Sequence, residues 1–170
     1  MSALVKSVGV QFYHDHFGQP THDDQRLFLL LTVGVFQAGL SWQAAASKIP
    51  VFQQRFANFD PQVVAAFTEP EIMALAADPE MIRNPRKIRA IVQNARAMLA
   101  VQNEFGSFAT YLWRFADGQP YLLAPDYETE RTSALGSRVA KDLKRRHFTF
   151  VGPIVTHMFL RAAGIIQISS

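Results

Sequence analysis

The chain has 170 residues, of which 49% are hydrophobic, and a formal net charge of +3. This length fits one domain, residues 1–170, and the apolar content suffices for a sizeable core. Cysteine is absent, which excludes disulfide bonds and thiolate metal sites, and no apolar run reaches the length of a membrane span. Residues 1–12 also lack the apolar stretch of a secretory signal, so we expect a soluble, cytoplasmic protein without a membrane partner.

Helical periodicity runs through almost the whole chain, and no segment alternates convincingly like a strand. Asp23-Asp24 favours a helix start, with Thr21 as a possible cap, and the helix that follows is apolar on most sides as far as Ala38. Gly39 is placed to end this helix, and Ser41 can cap the next one. The pattern predicts a central, buried helix that leads into a short second one.

Several further helix starts carry proline in or near the first turn. They occur at Pro50, Asp60-Pro61, Thr68-Glu69-Pro70, Asn84-Pro85 and Gly152-Pro153. Another helix starts at Thr132-Ser133, whereas residues 121–130 are the least regular segment and are interpreted as a surface loop. Together these patterns predict an all-α fold, a compact helical bundle.

Positive charge is concentrated in two windows, which we call the first and second basic clusters. The first consists of Arg83, Arg86, Lys87, Arg89 and Arg96, and the second of Arg138, Lys141, Lys144, Arg145 and Arg146. Such clusters suit a polyanion because phosphate binding releases condensed counterions. The alternative is two solvated helix faces that bind nothing.

Two predicted helices at about residues 69–101 are joined by a short turn, residues 78–84. A turn of this kind can present backbone amides and basic side chains to a phosphate. The segment resembles the helix-hairpin-helix element of the DNA glycosylase superfamily, although it has Pro79 and Pro85 and lacks the usual glycines. The alternative is an ordinary hairpin of two helices.

A set of short motifs covers most of the chain, from about Phe12 to Gly164. The set is Tyr13-His14-Asp15, Gln37-Ala38-Gly39-Leu40-Ser41-Trp42, Phe59-Asp60-Pro61, Ile82-Arg83 with Lys87-Ile88, Asn94-Ala95-Arg96, Leu143-Lys144-Arg145 and 148–152. In order and approximate spacing the set resembles the DNA-3-methyladenine glycosylase I family. The resemblance implies a helical fold of the helix-hairpin-helix DNA glycosylase type and a base-excision repair enzyme. Such an enzyme bends double-stranded DNA, flips one nucleotide, and hydrolyses the N-glycosidic bond of 3-methyladenine or a related alkylated purine.

The resemblance also implies residue roles. Trp42 would stack on the flipped base, since a cationic alkylated adenine is attracted to an indole face, and Tyr13 would hydrogen-bond it. The positive charge of the alkylated adenine also makes it a good leaving group. Binding and desolvation can therefore account for much of the catalysis. The candidate base-binding residues are Trp42, Tyr13, Phe17, Gln37 and Ser41, and the candidate DNA-binding residues are Arg83, Arg86, Lys87, Arg89, Lys144 and Arg145. The alternative for Trp42 is an ordinary core tryptophan.

One feature of the family is missing. By ungapped alignment from Trp42, Gly34 matches the family's base-recognising glutamate, and residues 25–59 contain no carboxylate. Loss of this charge and acceptor predicts altered or broadened base choice, or lost catalysis. Asp15 is the nearest candidate replacement, with a structural cap as its alternative, so the predicted catalytic residues are Tyr13 and Asp15.

We predict that this chain lacks the structural zinc of the family and needs no cofactor. The resemblance assigns that metal to a histidine matching His14 together with cysteines, which this chain does not have. His14, His16 and His22 are close in sequence, and a His-x-His pair can bind metal. We interpret them instead as solvated or hydrogen-bonded histidines.

Three functions are compatible with these patterns. The first is a metal-free, monomeric glycosylase for alkylated purines, and the second is a catalytically impaired relative that binds bent or damaged DNA. The third is a helical scaffold for a protein or a small molecule. Retention of Tyr13 and Trp42 favours the enzyme, the glycine at position 34 favours the binding protein, and the basic clusters disfavour the scaffold.

Overall fold

Helices dominate the fold, which confirms the predicted all-α class. The computed structural model describes residues 3–170, with side chains from Val8 onward. Ten α-helices occur in this part of the chain: α1 (Ala3–His16), α2 (Asp24–Gln37), α3 (Trp42–Ala46), α4 (Ile49–Arg55), α5 (Pro61–Ala65), α6 (Glu69–Ala77), α7 (Pro85–Phe105), α8 (Phe108–Trp113), α9 (Ala134–Arg145) and α10 (Pro153–Ala162). Short 3-10 helices span Ala57–Phe59, Arg114–Ala116 and Pro125–Thr129. None of the described helices is long and apolar enough to cross a membrane.

Local capping explains where many of these helices begin. The Ser41 hydroxyl accepts a hydrogen bond from the backbone N–H of Ala44 at 3.0 Å, as predicted for the start of α3. For α2 the predicted cap, Thr21, is wrong, because Asp23 occupies the cap position and accepts from the N–H of Gln25. Both caps satisfy donors that the first turn of a helix leaves unpaired.

Helix α2 lies at the centre of the core, as its apolar sequence predicts. Its residues from Leu27 to Phe36 are all buried, and it packs against α3, α4, α7, α8 and α10. The rings of Phe36 and Phe52 stack with their centroids 4.8 Å apart. A helix covered on this many sides has no polar face to turn to water, so its apolar character follows from its position.

The hairpin of α6 and α7 has its connecting turn at residues 78–84, where the sequence predicts it. Side chains of neighbouring elements hold this turn. Arg55 Nε donates to the Asp78 carboxylate at 2.6 Å, and Lys48 Nζ donates to the carbonyl oxygen of Glu80 at 2.7 Å. The turn is therefore fastened through side chains, without the glycines typical of the helix-hairpin-helix element.

Two short strands depart from the sequence prediction. Tyr121–Leu123 (β1) pairs in parallel with Ile166–Ile168 (β2), so the interpretation of residues 121–130 as an irregular loop is wrong for its first part. Three-residue strands are too short for alternation to be recognised, and their pairing depends on a distant partner. The strand pair brings the 3-10 helix Pro125–Thr129 beside the end of α10.

The end of α10 also holds the segment that follows α1. Gly164 has a φ of +73°, and a Cβ there would lie 2.4 Å from the backbone nitrogen of Pro20. The N–H groups of Gly18 and Thr21 donate to the carbonyl oxygens of Ala162 and Ala163 at 3.1 and 3.2 Å. This close approach requires glycine at position 164 and places the end of α1 against α10.

Candidate functional site

A cavity of about 370 Å³ opens where α1, α2, α3 and α10 meet, and we call it the aromatic cavity. Its lining residues are Tyr13, His14, Phe17, Gln37, Trp42, Glu128, Met158 and Arg161. The volume suits a small planar ligand. The lining includes four of the five predicted base-binding residues: Tyr13, Phe17, Gln37 and Trp42. Ser41 does not line the cavity, because its hydroxyl caps α3.

The aromatic side chains form a continuous surface in this cavity. The rings of Tyr13 and Trp42 are stacked, with centroids 5.8 Å apart and planes inclined by 27°, and the Phe17 ring meets Tyr13 edge-on at 5.7 Å. Trp42 is half-buried and borders the cavity, so it is not sealed inside the core. An indole in this position is a stacking platform for a planar base.

Tyr13 is the most enclosed residue of this surface, with 4% of its area exposed. Burial raises the pKa of its phenol well above the ordinary value. The hydroxyl is therefore protonated at neutral pH and can donate a hydrogen bond to an acceptor on a base. The raised pKa favours a hydrogen-bond donor role for Tyr13 over that of a phenolate base.

Asp15 does not reach the aromatic cavity, which contradicts its prediction as a replacement carboxylate. Two residues along a helix correspond to a rotation of about 200°, so Asp15 lies on nearly the opposite side of α1 from Tyr13. Its carboxylate accepts a hydrogen bond from Gln11 Nε2 at 2.7 Å and is 3.6 Å from His14 Nδ1, on the exposed side of the helix.

Gly34 borders a second cavity of about 500 Å³, which shares Gln37 and Met158 with the aromatic cavity. A Cβ at position 34 would lie 3.6 Å from Val155 Cγ1 and 4.0 Å from Phe159 Cβ, which is ordinary van der Waals contact. The backbone therefore leaves room for a Cβ here. The position that the resemblance assigns to a glutamate adjoins the site but carries no acid.

Two charged residues that line the aromatic cavity, Glu128 and Arg161, are not predicted from the sequence. Arg161 Nη1 donates to the backbone carbonyl of Glu128 at 3.1 Å, and Arg161 Nη2 approaches Glu128 Oε2 at 3.4 Å. The Arg161 guanidinium also lies over the ring of Phe17, 5.8 Å from its centroid. Glu128 belongs to the segment interpreted as a surface loop, and no local pattern there indicates its contact with α10.

Lys87 does not fit its prediction as a DNA-binding residue of the first basic cluster. Its side chain is buried, and Nζ donates to the carbonyl oxygen of Phe36 at 3.1 Å and to that of Ala38. Burial lowers its pKa. An ammonium at the end of α2 pairs with carbonyls that the helix leaves free, so Lys87 fixes the start of the segment 37–42 and does not offer its charge to a phosphate.

The other members of the first basic cluster lie nearer the surface. Arg83 is exposed in the turn before α7, and Arg86 is exposed in the first turn of α7. The Arg86 guanidinium lies over the ring of Phe150, 5.7 Å from its centroid. Arg89 is exposed but forms an ion pair with Glu69. Arg83 and Arg86 are therefore the residues of this cluster best placed to contact a polyanion, close to the segment that Lys87 holds.

The second basic cluster is partly neutralised by one acid. Burial alone would raise the pKa of the Asp142 carboxyl, but hydrogen bonds from Tyr111, Arg145 and Arg146 outweigh it and lower the pKa to about 2. Arg145 donates to Asp142 from Nε at 3.1 Å and from Nη2 at 2.6 Å. Lys144 is exposed on the same helix, α9. Because Arg145 is paired with Asp142, Lys144 is the better placed of the two to contact a phosphate.

His16 and His22 are held by neighbouring groups. His16 Nδ1 donates to the carbonyl oxygen of Phe12 at 2.8 Å, and the His22 ring stacks on Trp113 at 4.4 Å. No group of three or more histidine, aspartate or glutamate side chains within the described residues is arranged to hold a metal ion. The chain has no cysteine, so the cysteine donors that the resemblance implies for a zinc site are missing.

Proteins of known function are similar to this chain over most of its length. A sequence profile of the methyladenine glycosylase family matches residues 3–169. DNA-3-methyladenine glycosylase 1 of Escherichia coli is 34% identical over 158 residues, which cover 91% of this chain and 84% of that protein. The DNA-3-methyladenine glycosylase of Haemophilus influenzae is 31% identical over 164 residues, covering 95% and 89%.

Solved structures agree with the sequence relatives. The 3-methyladenine DNA glycosylase I of Staphylococcus aureus superposes with a TM-score of 0.87 at 34% identity, covering 92% of this chain and 85% of that one. A tyrosine-to-phenylalanine variant of 3-methyladenine DNA glycosylase I, solved in complex with 3-methyladenine, has a TM-score of 0.87 at 33% identity, covering 92% and 86%. The match in sequence and fold extends over nearly the whole chain, and the protein belongs to the methyladenine glycosylase family.

Proposed function

We propose that this protein is a base-excision repair glycosylase that hydrolyses the N-glycosidic bond of 3-methyladenine, or of a related alkylated purine, in DNA. The observation that carries the proposal is the stacked pair of Tyr13 and Trp42 at an open cavity within this family's fold. Family membership favours the enzyme over the catalytically impaired binding protein, even though Gly34 replaces the expected glutamate.

The proposed hydrolysis relies on the alkylated base being a good leaving group. A flipped alkylated adenine would enter the aromatic cavity and stack on Trp42, whose π face attracts the positive charge. Tyr13 would donate a hydrogen bond to the base. When the C1′–N bond breaks, the cationic base departs as a neutral molecule and the positive charge moves to the sugar, where water adds and loses a proton. The enzyme therefore needs to stabilise the developing sugar cation more than to activate a strong nucleophile.

The proposed DNA contacts are exposed cations of the two basic clusters. Arg83 and Arg86 are exposed at the turn of the α6–α7 hairpin, and Lys144 is exposed on α9. We propose that these three cations bind phosphates of double-stranded DNA and that a single copy of the chain is sufficient. Lys87 supports the same surface indirectly, because it joins α7 to the end of α2.

Replacement of Arg86 by alanine tests the phosphate surface. We expect the slope of log affinity against log salt concentration to fall by about 0.9, since one phosphate contact is lost. Fluorescence anisotropy of a labelled duplex at several salt concentrations measures this slope. Arg138→Ala is the matched control, since it removes the same charge from a guanidinium that donates to the carbonyl oxygen of Phe115. An unchanged slope for Arg86→Ala would exclude this contact.

Release of free base from methylated DNA tests the proposed activity. We expect the wild-type protein to liberate 3-methyladenine, detected by chromatography of the soluble fraction. A wild-type protein that binds DNA but releases no base would instead be the catalytically impaired relative. A protein that neither binds DNA nor releases base would contradict both functions.

A further inference from the structure

We propose that Glu128 supplies the base-recognising carboxylate that Gly34 lacks, and that Arg161 positions it at the aromatic cavity. The inference rests on the proposed glycosylase function. An alkylated adenine carries a positive charge and an exocyclic amine. A carboxylate in the cavity attracts that charge and accepts a hydrogen bond from the amine. Aromatic rings attract the charge but offer the amine no comparable acceptor.

Glu128 is the acid that the fold brings to the site. Among the described residues lining the aromatic cavity it is the only carboxylate, and the described lining of the adjoining cavity at Gly34 includes no acid. Asp15 lies on the outer side of α1. The tertiary structure thus brings a carboxylate to the aromatic cavity from the 3-10 helix Pro125–Thr129 and not from α2, which carries Gly34 beside the adjoining cavity.

The backbone of Glu128 is anchored, whereas its carboxylate is only loosely held. Arg161 Nη1 donates to the carbonyl oxygen of Glu128 at 3.1 Å, and the pairing of β1 with β2 fixes the chain just before the 3-10 helix. The carboxylate itself is 3.4 Å from Arg161 Nη2, and the Glu128 side chain is 65% exposed. It can therefore turn towards a bound base without breaking a short ion pair.

Charge balance in the cavity supports the same assignment. The Arg161 side chain is only 12% exposed and its guanidinium lies over Phe17, so a cation is built into the cavity wall. Alone, this cation would repel a positively charged base. Glu128 neutralises it, and removal of Glu128 would leave the cavity positively charged. Arg161 is therefore a positioning residue, and Glu128 is the group that meets the base.

Glu128→Gln tests the proposal by removing the charge while keeping the size of the side chain. We expect kcat/KM for release of 3-methyladenine from methylated DNA to fall about tenfold or more, the loss typical of one charge-assisted hydrogen bond. Binding of free 3-methyladenine, measured by calorimetry, should weaken in parallel. The matched control is Asp126→Asn on the same 3-10 helix, which lines a different depression and should retain both properties. Equal losses in the two variants would overturn the assignment.

A second variant separates recognition from a structural role. Because the backbone at Gly34 leaves room for a Cβ, Gly34→Glu in the Glu128→Gln background should recover part of the lost release and binding. A structural defect would not be rescued from position 34, so failure to recover together with a lower melting temperature would overturn the proposal.

The two readouts also separate this proposal from the proposed function. If the wild-type protein releases base and Glu128→Gln does so equally well, the role of Glu128 is refuted and the glycosylase function stands. If the wild-type protein releases none, binding of free 3-methyladenine decides: a loss on Glu128→Gln supports recognition by Glu128, and unchanged or absent binding refutes it.

Discussion

Replacement of Trp42 by alanine is expected to lower kcat/KM for 3-methyladenine release about 100-fold, since stacking of a base on an aromatic side chain contributes about 1–3 kcal/mol and cation–π attraction adds to it. Trp42 is half-buried at the aromatic cavity and stacked with Tyr13, so its removal takes away the platform without opening the core. Single-turnover release of base from methylated DNA measures the effect.

Trp42→Phe is the matched control for that change. A phenyl ring keeps an aromatic face in the cavity, so we expect a loss of less than about tenfold, smaller than for alanine. Melting temperatures of both variants should stay close to that of the wild type, because the side chain borders a cavity. If Trp42→Ala released base within twofold of the wild-type rate, Trp42 would not be the stacking platform.

Lys87→Met is expected to lower the free energy of unfolding by about 2 kcal/mol, because it leaves buried carbonyl oxygens without a donor. The ammonium donates to the carbonyl oxygens of Phe36 and Ala38, and methionine matches its length without replacing these bonds. Relief from burying a charge offsets part of the cost. We also expect slower base release, since Lys87 fixes the start of the segment that carries Trp42. Urea unfolding followed by circular dichroism measures the stability.

The pH dependence of this stability has a defined sign. Burial lowers the pKa of Lys87 in the folded protein, so the unfolded chain binds more protons between the folded and unfolded values. The contribution of Lys87 to stability therefore increases as the pH rises through that window. Lys141→Met on the exposed face of α9 is the control and should change stability by less than about 0.5 kcal/mol. Equal effects of the two substitutions would contradict the anchoring role of Lys87.

Most of the local structure follows from the sequence because its causes act within one or two turns of helix. Ser41 and Asn84 cap the helices that begin after them, through side-chain oxygens that accept from N–H groups three residues later. The apolar run of α2 predicts a central helix, and the order of motifs including Tyr13 and Trp42 indicates the family. None of these inferences requires contacts between distant segments.

Long-range packing decides what local patterns do not encode. Lys87 reads as one more surface cation in a basic cluster, and only its approach to the end of α2 shows that its charge is turned inward. Similarly, residues 121–130 have no regular pattern, yet β1 pairs with β2, a strand more than 40 residues later, and Glu128 just after β1 lines the cavity.

The helical class, most helix starts, the family and the absence of an acid at position 34 can all be predicted from the amino-acid sequence. The tertiary structure alone decided which cations face solvent, that Asp15 points away from the aromatic cavity, and that Glu128 and Arg161 border it. The physical reason is the range of the interactions: capping and helical periodicity act between near neighbours. The composition of a cavity instead depends on how segments far apart in the chain pack together.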